Sequence, residues 1–339
     1  MHRRWPILLL TLVALLLAGC AQAARQVPGP GAESARLEPD WAIAEDGYRL
    51  PLRHWPAEGE TPRAVVLAVH GFNDHSGSFE VMAEALAPRG IATYAYDQRG
   101  FGLTDQRRIW PGHGRLVEDA ALLTRLLAGR YPGTPVYLVG KSMGAAVVLL
   151  TLADDPPPVA GSVLIAPAVW GLDAMPWYQR AALWLGMRLA PSLSFSASSV
   201  RRLGIEPTDD PEIKARLAED PLILRRARID TLHGVTETMS LALEAARRLP
   251  SPALILYGDD DQVIPPEAIC DLLDRLPERS DDAPGWRLAL YPDGYHMLTR
   301  YTRRDLTEAD LAAWLLDPAA ALPSGQEQTP EQARRRLCP

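Results

Sequence analysis

The 339-residue sequence is short of lysine, of cysteine and of any long apolar run. Lys141 and Lys214 are its only lysines, so almost all its positive charge is arginine. Arginines recur in short clusters, Arg225-Arg226 and Arg334 to Arg336, which read as solvated helix faces. With a formal net charge of -7, the chain lacks the basic face that a nucleic-acid partner requires. Three cysteines, Cys20, Cys270 and Cys338, have neither the number nor the spacing of a metal site or a disulfide scaffold. The longest apolar stretch, Ile7 to Ala18, is too short to span a bilayer comfortably. What is present is an ordinary globular composition, 47% hydrophobic and 23% charged. The length suits one large domain with insertions or two small ones.

The N-terminus "MHRRWPILLLTLVALLLAGC" has a basic start, an apolar stretch and a small-residue end, the pattern of a secretory signal peptide over residues 1–19. Its end, Leu17-Ala18-Gly19-Cys20, resembles the lipobox of bacterial lipoproteins. That resemblance implies acylation of Cys20, a membrane partner reached through the lipid, and a place in the bacterial cell envelope. Ala21, rather than Asp, implies the outer membrane facing the periplasm. Such a compartment is oxidising, and it permits a bridge between Cys270 and Cys338. Residues 20–40 are rich in Ala, Pro and Gly and read as a lipidated tether. Residues 318–339 read as a loose C-terminal tail.

Between these, β-rich runs alternate with helical periodicity. The runs are Ala64–His70, Ile91–Asp97, Val136–Gly140, Ser162–Ala166, Ala253–Gly258 and Arg287–Tyr291. They are almost continuously apolar, as strands buried on both faces of a parallel sheet must be. Helices are expected over Phe79–Arg89, Arg115–Ala128 and Thr307–Leu316, the last opened by a capping box from Thr307 to Asp310. Trp41–Trp55 carries "EDG" between two β-like runs and reads as an antiparallel edge hairpin. The expected fold class is α/β, with a mostly parallel sheet flanked by helices. A core over 41–169 and 250–317 is interrupted by residues 170–249, a Trp-, Leu- and Arg-rich segment without a clear strand. It reads as a helical lid, with an interaction surface for another protein as the competing reading.

The chemistry begins at "VYLVGKSMGAAVVL". G-x-S-x-G alone is weak, but here a strand precedes Ser142 and a helix-compatible run follows it. A nucleophilic serine needs that sharp turn, with small residues letting the backbone pass. It also needs a base, and an acid to orient the base. On such a scaffold the acid and then the histidine follow the serine. Of the two later histidines, His233 lies inside the insertion and His296 follows the last strand, so His296 fits. The acid is one of Asp259, Asp260 and Asp261. A calcium loop there fails for want of a glycine at its sixth position. One oxyanion donor should be the Met143 backbone N–H, at the start of the helix after the serine.

Four segments carry a family resemblance over about residues 41–317: "VHGFNDHSGSFE", "YDQRGFGLTD", "GKSMGA" and "GDDD". Together they resemble the monoacylglycerol lipase/lysophospholipase-like branch, serine aminopeptidase S33-type, of the α/β-hydrolase superfamily. The resemblance implies an α/β-hydrolase fold with a helical lid, Asp261 as the acid and Phe72 as the second oxyanion donor. It implies a serine ester hydrolase acting on monoacylglycerol- or lysophospholipid-class esters, with no cofactor or metal required. His70 and His75 would shape the loop, and Asp97 and Arg99 would buttress it through an ion pair. Trp170, Trp177, Trp184, Leu185 and Phe195 are expected at or near the pocket. Alternatives on the same fold are an acyltransferase or an aminopeptidase of the proline iminopeptidase type, for which Glu206, Asp209 and Asp210 could hold a free amine. An envelope-anchored, non-catalytic binding protein is a third. Lys141 departs from the family, which often has His there. On a sharp turn it points away from its neighbour and is expected in a local bond or ion pair.

Overall fold

A computed structural model of the protein describes residues 23–196, 204–278 and 285–338. The expected signal peptide and Cys20 lie outside the described residues. In chain order, β1 (Arg36–Leu37), β2 (Trp41–Ile43) and β3 (Arg49–Trp55) pair antiparallel at one edge, as the hairpin signal in "EDG" predicts. Then come β4 (Ala64–Val69), β5 (Ile91–Tyr96), β6 (Val136–Lys141) and β7 (Gly161–Ile165). A short pair, β8 (Ser194–Ser196) and β9 (Arg226–Arg228), lies apart. The chain returns with β10 (Ala253–Gly258), β11 (Trp286–Tyr291) and β12 (Glu327–Gln328). The main sheet has the order β1-β2-β3-β5-β4-β6-β7-β10-β11-β12. Its six central strands, β5 to β11, are mutually parallel.

Both faces of that sheet are dry, which is why its strands read as unbroken apolar runs. Val65, Leu67 and Val69 of β4 enter one core cluster, and Ala64, Val66 and Ala68 enter the other. The first face is covered by helices α2 (His113–Arg130) and α3 (Met143–Ala153), through Leu116, Ala120, Leu123 and the small residues of α3. The second is covered by α1 (Glu80–Leu86), through Met82 and Leu86. Burial of this kind stabilises at roughly 25 cal/mol per Å² of apolar surface.

The segment between β7 and β10 holds α4 (Trp177–Leu189), α5 (Pro211–Glu219) and α6 (Ile229–Ala245). It is not strand-free, because β8 and β9 pair within it. Alternating sequence spacing is invisible in three-residue strands. The segment reaches the loops at the carboxyl end of the sheet: Leu224 N–H donates to Asn73 O (3.0 Å) and Met297 N–H to Pro207 O (2.9 Å).

Three expectations are corrected. The supposed loose tail, 318–339, is folded: β12 pairs with β11, and α9 (Pro330–Leu337) packs on α7 (Pro266–Leu273) after α8 (Arg304–Leu316). Cys338 is bonded to Cys270, and Arg287 pairs with Glu327 at 2.6 Å. The capping box belongs to α9, between Thr329 and Gln332. Thr307 is instead a buried residue inside α8, which begins three residues earlier. Residues 24–40 are likewise not a free tether, because they bond to the domain from Ala24 onward.

Candidate active site

Ser142 stands between the end of β6 and the start of α3, with φ 54° and ψ −121°. A non-glycine residue in this region is strained by about 1–3 kcal/mol, and the surroundings hold it there. Ser142 N–H donates to Ile165 O (2.9 Å), and Ala168 N–H donates to Ser142 O (3.2 Å). The flanking glycines are sterically required. A Cβ on Gly140 would lie 2.5 Å from Gly144 O, and one on Gly144 would lie 2.0 Å from Val69 O. The turn therefore closes only with glycine at both positions, and it leaves Ser142 half-buried at the carboxyl edge of the sheet.

His296 and Asp261 rise from the same edge, after β11 and β10. His296 Nδ1 lies 2.8 Å from Asp261 Oδ2. The other carboxylate oxygen, Oδ1, accepts the backbone N–H groups of Val263 (2.8 Å) and Ile264 (2.9 Å). With acceptors on the Asp261 side, Nδ1 carries the proton and Nε2 is left as the basic nitrogen. The two loops touch at backbone level: a Cβ on Gly258 would lie 2.1 Å from Gly294 O. Of the three candidate acids, only Asp261 is buried. Asp259 pairs with Arg336 (2.8 Å), and Asp260 is exposed. His233 lies within α6.

The loop after β4 faces the serine turn. A Cβ on Gly71 would come 3.1 Å from Ser142 Cβ. Among the described residues, nothing takes up the backbone N–H of Phe72 or of Met143. Asn73 takes a left-handed φ of 62°, a conformation that asparagine tolerates. His70 and His75 shape this loop, as expected. Buried His70 accepts from Gln98 N–H at Nε2 (3.0 Å) and donates from Nδ1 to Gly71 O (2.8 Å). Burial pushes its imidazole below the ordinary value, consistent with that neutral tautomer. His75 Nε2 meets Asp220 of the insertion at 2.8 Å.

Asp97 and Arg99 do not pair with each other. Asp97 accepts the Ser76 and Leu103 backbone N–H groups, both at 2.7 Å. Arg99 bonds Asp119 and Asp46 with its fork of donors. The buttress is real, but each residue serves a separate wall of it.

Beneath the site lies a cluster in which Lys141 makes the ion pair expected of it, with partners that sequence reading missed. Lys141 Nζ donates to Asp74 Oδ2 at 2.6 Å, and Arg300 Nη2 donates to the same oxygen at 2.7 Å; all three are buried. Burial alone would raise the Asp74 carboxyl, but the Arg300 and Lys141 charges hold it well below the usual carboxylate range. Burial and the Arg300 charge push the Lys141 ammonium down to about 8, against the pull of Asp74. One carboxylate thus ties the strand carrying Ser142, the loop carrying Phe72 and the loop carrying His296. A lysine beside the serine needs a counter-charge, and the acid in "HGFND" was a readable signal for it.

Above the turn, Phe101, Met143, Leu224 and Val235 form an apolar cluster with Phe72, Trp110 and Met239 packed against it. Core and insertion both contribute. Trp177, Trp184, Leu185 and Phe195 do not line it as expected, because all four are exposed. Glu206, Asp209 and Asp210 are engaged elsewhere, by Lys214, Thr302 and Arg304.

This geometry has relatives. The serine aminopeptidase S33 family matches residues 60–302. The chain belongs to that family. It is 30% identical to a monoacylglycerol lipase of Mycolicibacterium smegmatis, over 80% of this chain and 94% of that one. It is 31% identical to the human monoglyceride lipase, over 76% and 82%. Among solved structures, a soluble variant of the Saccharomyces cerevisiae monoglyceride lipase bound to a substrate analog superposes with a TM-score of 0.69. It is 20% identical and covers 87% of this chain and all of that one. This S33-family hydrolase therefore has the α/β-hydrolase fold and is a carboxylic ester hydrolase.

Proposed function

We propose that the protein is a serine hydrolase of monoacylglycerol- or lysophospholipid-class esters, working through Ser142, His296 and Asp261. The observation that carries this reading is the buried Asp261–His296 hydrogen bond at the edge from which strained Ser142 projects. Asp261 fixes the imidazole with Nδ1 protonated, so Nε2 takes the Ser142 proton as Oγ attacks the ester carbonyl. The oxyanion forms against the Phe72 and Met143 N–H groups, dipoles already oriented before the reaction. As the tetrahedral intermediate collapses, His296 passes the proton to the leaving alcohol and the acyl group stays on Ser142. Water, activated by the same nitrogen, then releases the acid. The apolar cluster around Phe101, Leu224 and Val235 suits an acyl chain.

The aminopeptidase alternative is less well supported, since Glu206, Asp209 and Asp210 are already engaged by Lys214, Thr302 and Arg304. The leader and the Cys270–Cys338 bond support export to an oxidising compartment. In this reading residues 1–19 are removed, Cys20 is acylated, and the enzyme is held in the envelope, at the outer membrane facing the periplasm. A fluorophosphonate probe should label the wild type and spare Ser142→Ala. Parallel assays on monoacylglycerols, lysophospholipids and aminoacyl amides should favour the esters. Absence of labelling would sink the serine-hydrolase reading, and faster amide turnover would select the alternative.

A further inference from the structure

Residues 24–33 run along the domain as a strap. Glu33 and Gly31 N–H groups donate to Glu45 O (2.9 Å) and Asp46 O (3.1 Å). Gly29 N–H donates to Asp46 Oδ2 (3.1 Å), and a Cβ on Gly29 would lie 2.3 Å from Asp46 O, so only glycine fits. Val27 exchanges two hydrogen bonds with the Gln106 side chain (2.7 and 3.0 Å), and Gln26 donates to Ile109 O (3.2 Å). The strap ends on the insertion, where Ala24 N–H donates to Asp230 Oδ2 at 3.2 Å. Asp230 is buried at the start of α6 and braced by Arg228 at 2.6 Å. The same turn holds the segment that follows α4: the Ile229 and Asp230 N–H groups donate to Leu193 O (2.9 Å) and Pro191 O (3.0 Å).

Helix α4 buries none of its described side chains. Trp177 is 74% exposed, Leu189 63%, and Tyr178 and Trp184 57% each; Leu185, Leu193 and Phe195 continue the patch. Scattered exposed apolar residues are normal, but so many large ones on one helix and the segment after it mark an interaction surface. Its charge is one-sided. Across residues 174–196 the charged residues are Arg180 and Arg188, both basic, in a chain of net charge -7. Arg188 lies over the Trp184 ring at 4.6 Å. Rings with arginines and no carboxylates are the chemistry of an anionic lipid surface. The rings settle at headgroup depth, and the guanidinium groups meet phosphates.

We propose that one bilayer takes both the N-terminal anchor and this aromatic face, because the strap delivers the anchor to the insertion. The proposal rests on the acylation of Cys20 put forward above. Cys20 precedes Ala24 by four residues, which span at most about 14 Å. The acyl chains hold the protein at the membrane, while the strap and α4 fix which way it points. The insertion covering the site is then the part that meets the surface in which the apolar esters are dissolved.

The test uses the full-length lipidated protein in phosphatidylethanolamine/phosphatidylglycerol vesicles containing brominated lipid. Tryptophan fluorescence should be quenched, and Trp177→Ser/Trp184→Ser should remove much of that quenching. The double variant should keep its turnover of a water-soluble short-chain ester, while its hydrolysis of vesicle-borne long-chain monoacylglycerol falls about tenfold. A long flexible Gly-Ser segment inserted between residues 23 and 24 leaves the face intact but frees the anchor. It should also weaken quenching without changing soluble turnover. Equal quenching in the wild type and the double variant, or an unchanged vesicle rate, overturns the proposal. So does quenching unaffected by the inserted segment, or a dimer in detergent lost with the two tryptophans. An unacylated Cys20 would overturn it together with the lipidation reading. Failure to hydrolyse the soluble ester would sink the esterase reading alone, and the quenching would still decide the orientation.

Discussion

Asp74 accepts a 2.6 Å hydrogen bond from Lys141, the residue immediately before Ser142, the proposed nucleophile. Lys141 is thus a positioning residue, holding the end of β6 against the loop that carries Phe72. Lys141→Met keeps the volume and removes the charge. Removing one partner of a buried pair costs about 3–5 kcal/mol. Arg300 still satisfies Asp74 here, and burial already disfavours the Lys141 charge, so a much smaller change is expected in denaturant unfolding. The kcat should fall while KM changes little, and Lys141→Arg should restore part of it. Equal kcat in wild type and Lys141→Met would remove the positioning role.

The same cluster predicts a pH dependence. Burial and Arg300 bring the Lys141 ammonium down to about 8 in the folded protein, from an unfolded value of 10.5. As pH rises through 8 the native lysine loses its proton before the unfolded one does. This group's contribution to stability therefore rises between about pH 8 and 10.5, while its ion pair with Asp74 weakens. Activity and stability should diverge over that window. Lys141→Arg, charged throughout, should lack the alkaline change in kcat; a matching profile in both proteins would count against it.

Strain at Ser142 predicts a stability–activity exchange. Ser142→Gly relieves a φ of 54° and removes the proposed nucleophile. Its thermal midpoint should rise, by about 1 kcal/mol in stability after glycine's entropic cost, as hydrolysis disappears. A lower midpoint would show that the turn is unstrained.

Asp261→Asn preserves shape but offers His296 Nδ1 no carboxylate. In serine proteases the equivalent change costs about 10⁴ in kcat through the wrong tautomer, and a loss of that order is expected here. Retained ester turnover would exclude Asp261 as the acid.

The Cys270–Cys338 bond closes a long loop, with a sequence separation of 68. Loop-closure entropy gives it about 4 kcal/mol at most. Cys338→Ser should unfold at lower denaturant concentration yet retain ester hydrolysis at 25 °C. A loss of turnover without a loss of stability would instead give α9 a role at the site.

Much of this was legible because the signals are local or periodic. The central strands fall within about a residue of the apolar runs, since burial on both faces leaves no polar interruption. Ser142 and the loops of Asp261 and His296 follow strands whose ends glycines mark. Contacts between distant segments were not legible. Lys141, Asp74 and Arg300 are 67 and 226 residues apart as bonded pairs, and no spacing announces them. Arg99 finds Asp46 and Asp119 rather than nearby Asp97 for the same reason. Residues 24–40 and the C-terminal segment looked loose because they dock largely through backbone hydrogen bonds, ion pairs and a disulfide, and the few apolar anchors of the latter, Leu322, Ala333 and Leu337, are too sparse to read as a period.

The contact between Gly258 and Gly294 has a consequence for recombination among related hydrolases. With a Cβ on Gly258 placed 2.1 Å from Gly294 O, the loops carrying Asp261 and His296, the proposed acid and base, interlock at their backbones. They fit each other as one steric module. A chimera whose crossover falls between residues 258 and 294 joins an acid loop to a base loop shaped by a different partner. One whose crossovers fall outside that interval transplants the pair intact.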